Sequence, residues 1–424
     1  MNLNYKRTFF IGFAFMSICA FWQLYDNAIP KMLEGTFGMG ETSVGVIMAI
    51  DNVVALIMLP LFGALSDRTN TKIGRRTPYI IVGTILAVIF ALIIPFANNS
   101  KNLPLFIVAL GVVLFAMSTY RSPAVALMPD LTPKPLRSKA NAVINLMGSV
   151  GGIFTLAIIF LFKPTQSGSY VGVYIAICVL MLLAVGVLLL TIKERKVASE
   201  VAVYNIDEIV SKKEKKIPMA KDVKTSLCFL LASIVLWFFS YNAVATAFSR
   251  FTANVWNDTE DLYAKYLMVA TIFAIVSYFP IGLISSKIGR KKVILSGIVM
   301  ITAAFTSAFF FTTVTPLAYI VFAFVGIGWA AINVNSYPMI VEMSKGADVG
   351  KYTGLYYTFS MAAQIATPIL SGFLIENTSL EYKILFPYAT IFSALAFVTM
   401  LFVKHGDSKP ELKKDKLEYL GDAD

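Results

Sequence analysis

The sequence predicts an all-α membrane protein, with twelve transmembrane helices arranged as two pseudo-repeated six-helix bundles. Three observations predict it. Of 424 residues, 57% are apolar and only 14% are charged, whereas a soluble domain is about a quarter charged. The apolar residues gather into runs of about the 20 residues that a helix needs to cross a bilayer. The basic residues fall on alternate loops between those runs.

The spans read as 8–29, 44–65, 78–96, 103–127, 139–162 and 171–192 in the first half. The second half reads as 225–248, 263–285, 292–312, 315–340, 352–375 and 384–403. Each break carries Gly, Pro, Asn or charge, the residues that end apolar helices. Lys6 and Arg7 precede the first run as they would in a secretory signal. No small-residue cleavage site follows, so that run is expected to be a retained span.

Orientation follows from Lys and Arg. With the N-terminus placed in the cytoplasm, 29 of the 36 basic residues lie on cytoplasmic segments. This bias puts both termini inside a plasma or inner cell membrane, in a multi-pass protein. The chain then divides into a six-helix bundle at 1–192, a cytoplasmic linker at 193–224, a second bundle at 225–404 and a tail at 405–424. The linker reads as a long polar loop, with Lys212, Lys213, Lys215 and Lys216 facing water and anionic headgroups.

Composition excludes several classes. The net charge of +11 is a topological signal and implies no nucleic acid partner. Cys19, Cys178 and Cys228 sit in separate apolar runs, which argues against a disulfide or a metal site. His405, the only histidine, follows the last span, which excludes a His-based centre within the membrane. No phosphate-binding G-x-x-x-x-G-K-[ST] motif is present, so ATP is not expected to drive the protein. Neither an enzyme activity nor a cofactor is expected.

The halves share a motif. Residues 63–76 read GALSDRTNTKIGRR and residues 282–292 read GLISSKIGRKK, each after the second span of its half. Repeated six-helix halves characterise transporters whose substrate site lies between the repeats. The first copy resembles the loop signature of the major facilitator superfamily, through Gly63, Asp67, Arg68, Gly74, Arg75 and Arg76. The four-residue insertion Thr69–Lys72 resembles the longer spacing of the sucrose-carrier and glycoside–cation symporter branches. The segment YRSPAVALMPDLTPKPLRSKANAVINLMGSVGG, 120–152, is similar to the helix 4–5 region of plant sucrose and related disaccharide carriers. The resemblance implies a cavity lined by spans 1, 4, 7 and 10. It departs from the sucrose carriers at Leu114 and Val125, where they carry Asp and Arg; Arg121 lies one turn before Val125 on nearly the same face. In the second motif Ser286 stands in place of Asp.

Gly63 admits a close neighbour. Asp67, Asp130 and Glu342 sit at span ends, where Asp130 can pair with Arg75 or Arg76 and Glu342 with Arg290. Such pairs are expected to latch the cytoplasmic side and to break when the halves rock.

Asp26, Asp51 and Arg121 fall inside spans 1, 2 and 4. A charge at the bilayer centre costs about 2.5–3.5 kcal/mol on insertion scales, so it usually faces a cavity. A carboxylate in low dielectric gains from holding a proton, which makes Asp26 and Asp51 candidates for proton or cation coupling. Asp26 could instead cap the outer end of span 1 in water. Arg121 could bind hydroxyls or neutralise a carboxylate.

Sugar recognition needs aromatic faces beside fixed polar groups. Span 1 offers Trp22 and Tyr25, span 5 Asn145, and span 7 Trp237, Tyr241 and Asn242. Span 10 offers Trp329 and Asn333, and span 11 Tyr357 and Gln364. The combined expectation is a secondary active transporter of a sugar or glycoside, possibly a disaccharide. It would work by alternating access, with a proton or sodium ion as partner. The alternative is an exporter of drugs or other small solutes on the same fold.

Overall fold

The computed structural model describes residues 3–133, 136–205, 220–343 and 349–407. Among them, twelve helices are long and apolar enough to cross a membrane, and no strand is present beyond one isolated bridge, Thr71 to Gly74. The helices of the first half are α1 (Tyr5–Gly35), α2 (Glu41–Arg68), α3 (Thr77–Asn99), α4 (Leu103–Asp130), α5 (Arg137–Phe162), the single turn α6 (Pro164–Ser167) and α7 (Val171–Thr191). Then come α8 (Glu194–Asn205), α9 (Lys221–Val255), α10 (Tyr263–Ile288), α11 (Arg290–Phe309), α12 (Leu317–Met343), α13 (Val349–Asn377) and α14 (Leu385–Leu401).

Two helix ends run well past the expected spans, and buried ion pairs explain both. Helix α1 continues to Gly35 rather than stopping at 29. Lys31, which reads as a loop cation, is buried in it; its Nζ lies 2.8 Å from Asp261 and 4.3 Å from the Tyr263 ring. Helix α9 continues to Val255 rather than 248, with Arg250 buried 3.1 Å from Glu41. The linker also departs from expectation. Its start is not loop but the helix α8, with Val201 buried and Arg7 of α1 3.6 Å from Glu200. The basic run Lys212–Lys216 lies outside the described residues.

The chain forms two compact units. The first comprises 1–39, 50–211 and 259–264, and the second 40–49, 212–258 and 265–424. In the first unit α1 packs on α5, α3 on α4, and α7 on both α1 and α3. In the second unit α9 packs on α13, α11 on α12, and α14 on both α9 and α11. Position for position, these are the same pairings, so the repeat visible in the loop motif extends to the packing of each half.

Small residues set the closest approaches. A Cβ on Gly151 would overlap the Met16 carbonyl, and one on Gly326 the Ala270 carbonyl. On Gly328 it would come within 2.8 Å of the Gly297 carbonyl. Without a hydrophobic drive between helices in lipid, such backbone contact is a main source of packing. Hydroxyls add direct ties: Tyr120 donates to the Ala14 carbonyl at 2.9 Å and Thr155 to the Ala20 carbonyl at 3.0 Å.

Candidate functional site

Within the first unit, three helices bring the intramembrane charges together. Asp26 is nine residues from the end of α1 and Asp51 ten from the start of α2. At 1.5 Å per residue both sit about 14–15 Å inside their helices. Asp26 therefore does not cap the end of α1. Asp26, Asp51 and Arg121 lie within electrostatic reach of one another. Among the described residues, however, no carboxylate comes within 4.0 Å of the Arg121 guanidinium. That group instead stands 5.5 Å from the Trp22 ring. Asp51 accepts from the backbone and side-chain nitrogens of Asn52, at 2.6 and 2.7 Å. Asp26 forms no hydrogen bond or ion pair with a described residue.

Trp22 and Tyr25 meet edge to face, 5.3 Å between ring centres. The Trp22 Nε1 and the Tyr25 hydroxyl are buried without a hydrogen-bond partner. Polar atoms enclosed in this way are costly to leave unmade and are ready to donate to a ligand. Asn145 is half-buried on α5, the helix packed along α1.

In the second unit the Tyr241 and Trp329 rings stack 3.7 Å apart and nearly parallel, with Phe238 edge-on to Trp329. Asn242 beside them has its Nδ2 buried and unpartnered. Asn333 stands one turn beyond Trp329 and is 9% exposed. Trp237 is buried, with an unpartnered Nε1, and no ring contact joins it to the stack. On α13, Tyr357 is exposed among the Tyr337 and Tyr356 rings, and Gln364 is half-buried.

The loop motif is bound at one end of each unit, the motif side. Arg76 is buried and its Nε lies 2.8 Å from Asp130. The same guanidinium reaches Asp67, Ser66 and the Gly63 carbonyl. Arg75 takes the other Asp130 oxygen at 2.7 Å. Arg68 ends α2 and is exposed. In the second unit Arg290 pairs with Glu342.

One partner of this motif was absent from the sequence expectations. Glu194, at the start of α8, is buried and accepts from the backbone N–H groups of Arg75, Arg76 and Thr77 at 2.8–3.1 Å, and from the Thr77 hydroxyl at 2.7 Å. It thus caps α3, placing an anion at a helix N-terminus where orphan N–H groups and the dipole both favour it. Gly74 has φ 127°, and a Cβ there would strike the Glu194 carboxylate. The second unit repeats the device. Asp407, just past α14, accepts from the Lys291 N–H at 2.7 Å beside Gly289, whose φ is 95°. The legible signal was positional: an acidic residue follows the sixth span of each half.

Comparisons with known proteins bear on the family and the fold. A family described as MFS/sugar transport protein matches residues 10–351. A sucrose transport protein of Arabidopsis thaliana is 28% identical over 151 residues, 31% of this chain and 25% of that protein. The chain thus matches only about a quarter of that carrier's length. An uncharacterized MFS-type transporter of Methanocaldococcus jannaschii is 22% identical over 88% of this chain and 89% of its own. The crystal structure of a nucleoside transporter superposes with a TM-score of 0.70 at 15% identity, covering 95% of this chain and all of that one. That likeness shows the fold. With twelve spans, paired six-helix packing and a family match over most of its length, the chain belongs to the MFS/sugar transport protein family and is a multi-pass membrane transporter.

Proposed function

We propose that the chain is a secondary active carrier of a sugar or glycoside, coupled to a proton and working by alternating access. The observation that carries this reading is the first unit's group of Asp26, Asp51 and Arg121 around Trp22 and Tyr25. Two carboxylates and a guanidinium stand at membrane depth without ion-pairing one another. An unpaired intramembrane charge is expensive and usually functional. The arrangement gives Arg121 freedom to take hydroxyl oxygens. It lets Asp26 or Asp51 hold a proton on one side of the membrane and release it on the other. Within the first unit the Trp22 face supplies aromatic surface for the C–H face of a sugar ring, and the second unit carries an aromatic surface of its own in the Tyr241–Trp329 stack. The family description and the sucrose carrier's partial identity support the substrate class.

Orientation follows the basic residues: the motif side is cytoplasmic. There the Arg75 and Arg76 pairs with Asp130, and the Arg290 pair with Glu342, each lie inside one unit and brace its motif loop, from which a change of state could be relayed.

The test is uptake of radiolabelled sucrose, maltose and a monosaccharide into liposomes, with and without an inward proton gradient. Gradient-dependent accumulation supports the reading. Equilibration without accumulation removes the proton coupling. Absence of any sugar flux removes the substrate class and leaves export of other small solutes as the reading to pursue.

A further inference from the structure

On the motif side of the first unit, a pocket of about 680 Å³ opens where α3 begins, α7 ends and α8 starts. Its walls are of two kinds. Lys72, Lys193, Arg195 and Lys196 line it and are all exposed. Ile81 and Leu189, on the spans themselves, line its apolar side. None of the four cations forms an ion pair with a described residue. The two nearby carboxylates are committed elsewhere: Glu194 to the N-terminus of α3, and Glu200 to Arg7.

We infer that this pocket binds one anionic phospholipid from the leaflet on the motif side. The phosphate would sit among the four cations and an acyl chain along Ile81 and Leu189. Charge complementarity selects the anion, and each Lys or Arg near an anionic membrane surface adds measurable attraction. The apolar wall lies on span residues, so the ligand has to satisfy a lipid-facing surface and a charged one at once. A soluble phosphate ester does only the second. The consequence lies in the chain order. Lys193 and Arg195 flank Glu194, whose carboxylate fixes Arg75, Arg76 and Thr77. A lipid held by these two cations steadies α8 and, through Glu194, the loop motif. This inference is independent of the transported substrate.

The experiment is native mass spectrometry of the full chain purified in a neutral detergent, with added phosphatidylglycerol or phosphatidylcholine. One phosphatidylglycerol is expected to be retained selectively. The triple variant Lys72→Gln, Lys193→Gln, Lys196→Gln is expected to bind it on the order of a hundredfold more weakly. A matched variant, Lys221→Gln, Lys287→Gln, Lys292→Gln, removes three exposed cations elsewhere and should retain it. Leu189→Trp, which fills the apolar side, should weaken binding with all charges in place. Equal retention of phosphatidylcholine, or equal loss in both triple variants, overturns the proposal. So does full displacement by glycerol 3-phosphate at equal concentration, which would make the pocket a soluble-anion site.

Discussion

At the scale of single residues, the chain spends its few charges in two distinct ways. Arg76, Asp130 and Glu194 are buried or half-buried and mutually satisfied. Asp26 and Arg121 are inside the membrane span and unpaired. The first group holds a loop; the second is free to meet something from outside the chain. This contrast leads to opposite predictions. Glu194→Ala strips three backbone N–H groups and a hydroxyl of their acceptor. It should lower stability by something on the order of 3 kcal/mol, since hydrogen bonds to a charged group contribute about 1.5–3 kcal/mol each and water recovers part of the loss. Thermal unfolding in detergent checks this, and an unchanged midpoint would show that the cap is dispensable. Asp51→Asn keeps the shape and the hydrogen bonds to Asn52 largely possible, so its stability should hold. What it should lose is gradient-driven accumulation of sugar, while exchange of labelled for unlabelled sugar across the same liposomes persists. Loss of exchange as well would place Asp51 in the binding of the sugar rather than in coupling.

At the scale of helices, what could be read from the sequence was what hydropathy and charge cost determine. A span needs about 20 apolar residues, and that requirement alone located all twelve. Asp26, Asp51 and Arg121 were legible because each is costly where it stands. The extensions of α1 and α9 were not legible. Lys31 and Arg250 look like loop residues until their partners, Asp261 and Glu41, are known, and those lie more than 200 positions away. Helix α8 was hidden for a related reason: its composition is polar, and its anchors, Thr77 and Arg7, belong to distant helices. Close packing occurs at Gly151 and Gly326, and here a prediction separates packing from propensity. Gly151→Val and Gly326→Val force side-chain atoms onto a neighbouring carbonyl, and overpacking of this kind costs about 1–3 kcal/mol or more. Both should yield less folded protein by size-exclusion profile. Gly186→Val is the contrast: a Cβ there has nothing within 4 Å, so its profile should match the parent. If all three behave alike, loss of glycine itself is the cause, not contact.

At the scale of the whole molecule, each compact unit contains a short segment from the other half of the sequence. Residues 259–264 belong to the first unit and 40–49 to the second. The bonds that hold the first segment are concentrated. Asp261 is fully buried; its Oδ1 lies 2.8 Å from Lys31 Nζ and accepts from the Thr165 hydroxyl at 2.6 Å, and its Oδ2 accepts from the Thr165 N–H at 2.9 Å. Lys163 adds an outer pair to Glu260 at 2.7 Å. Burial next to Asp261 also pushes the Tyr170 hydroxyl above its usual range, so that it stays neutral throughout the physiological span. Removing one partner leaves a lone buried charge and should cost about 3–5 kcal/mol, whereas removing both is far milder. Lys31→Met should therefore destabilise the protein strongly, and Lys31→Met with Asp261→Leu should recover much of that loss. The informative measurement is transport by the double variant. If the pair serves as a latch, the stable double variant should still bind sugar but accumulate it poorly, because nothing holds the segment through the return step. If accumulation matches the parent, the pair is only a fold contact, and the step that closes the carrier resides elsewhere.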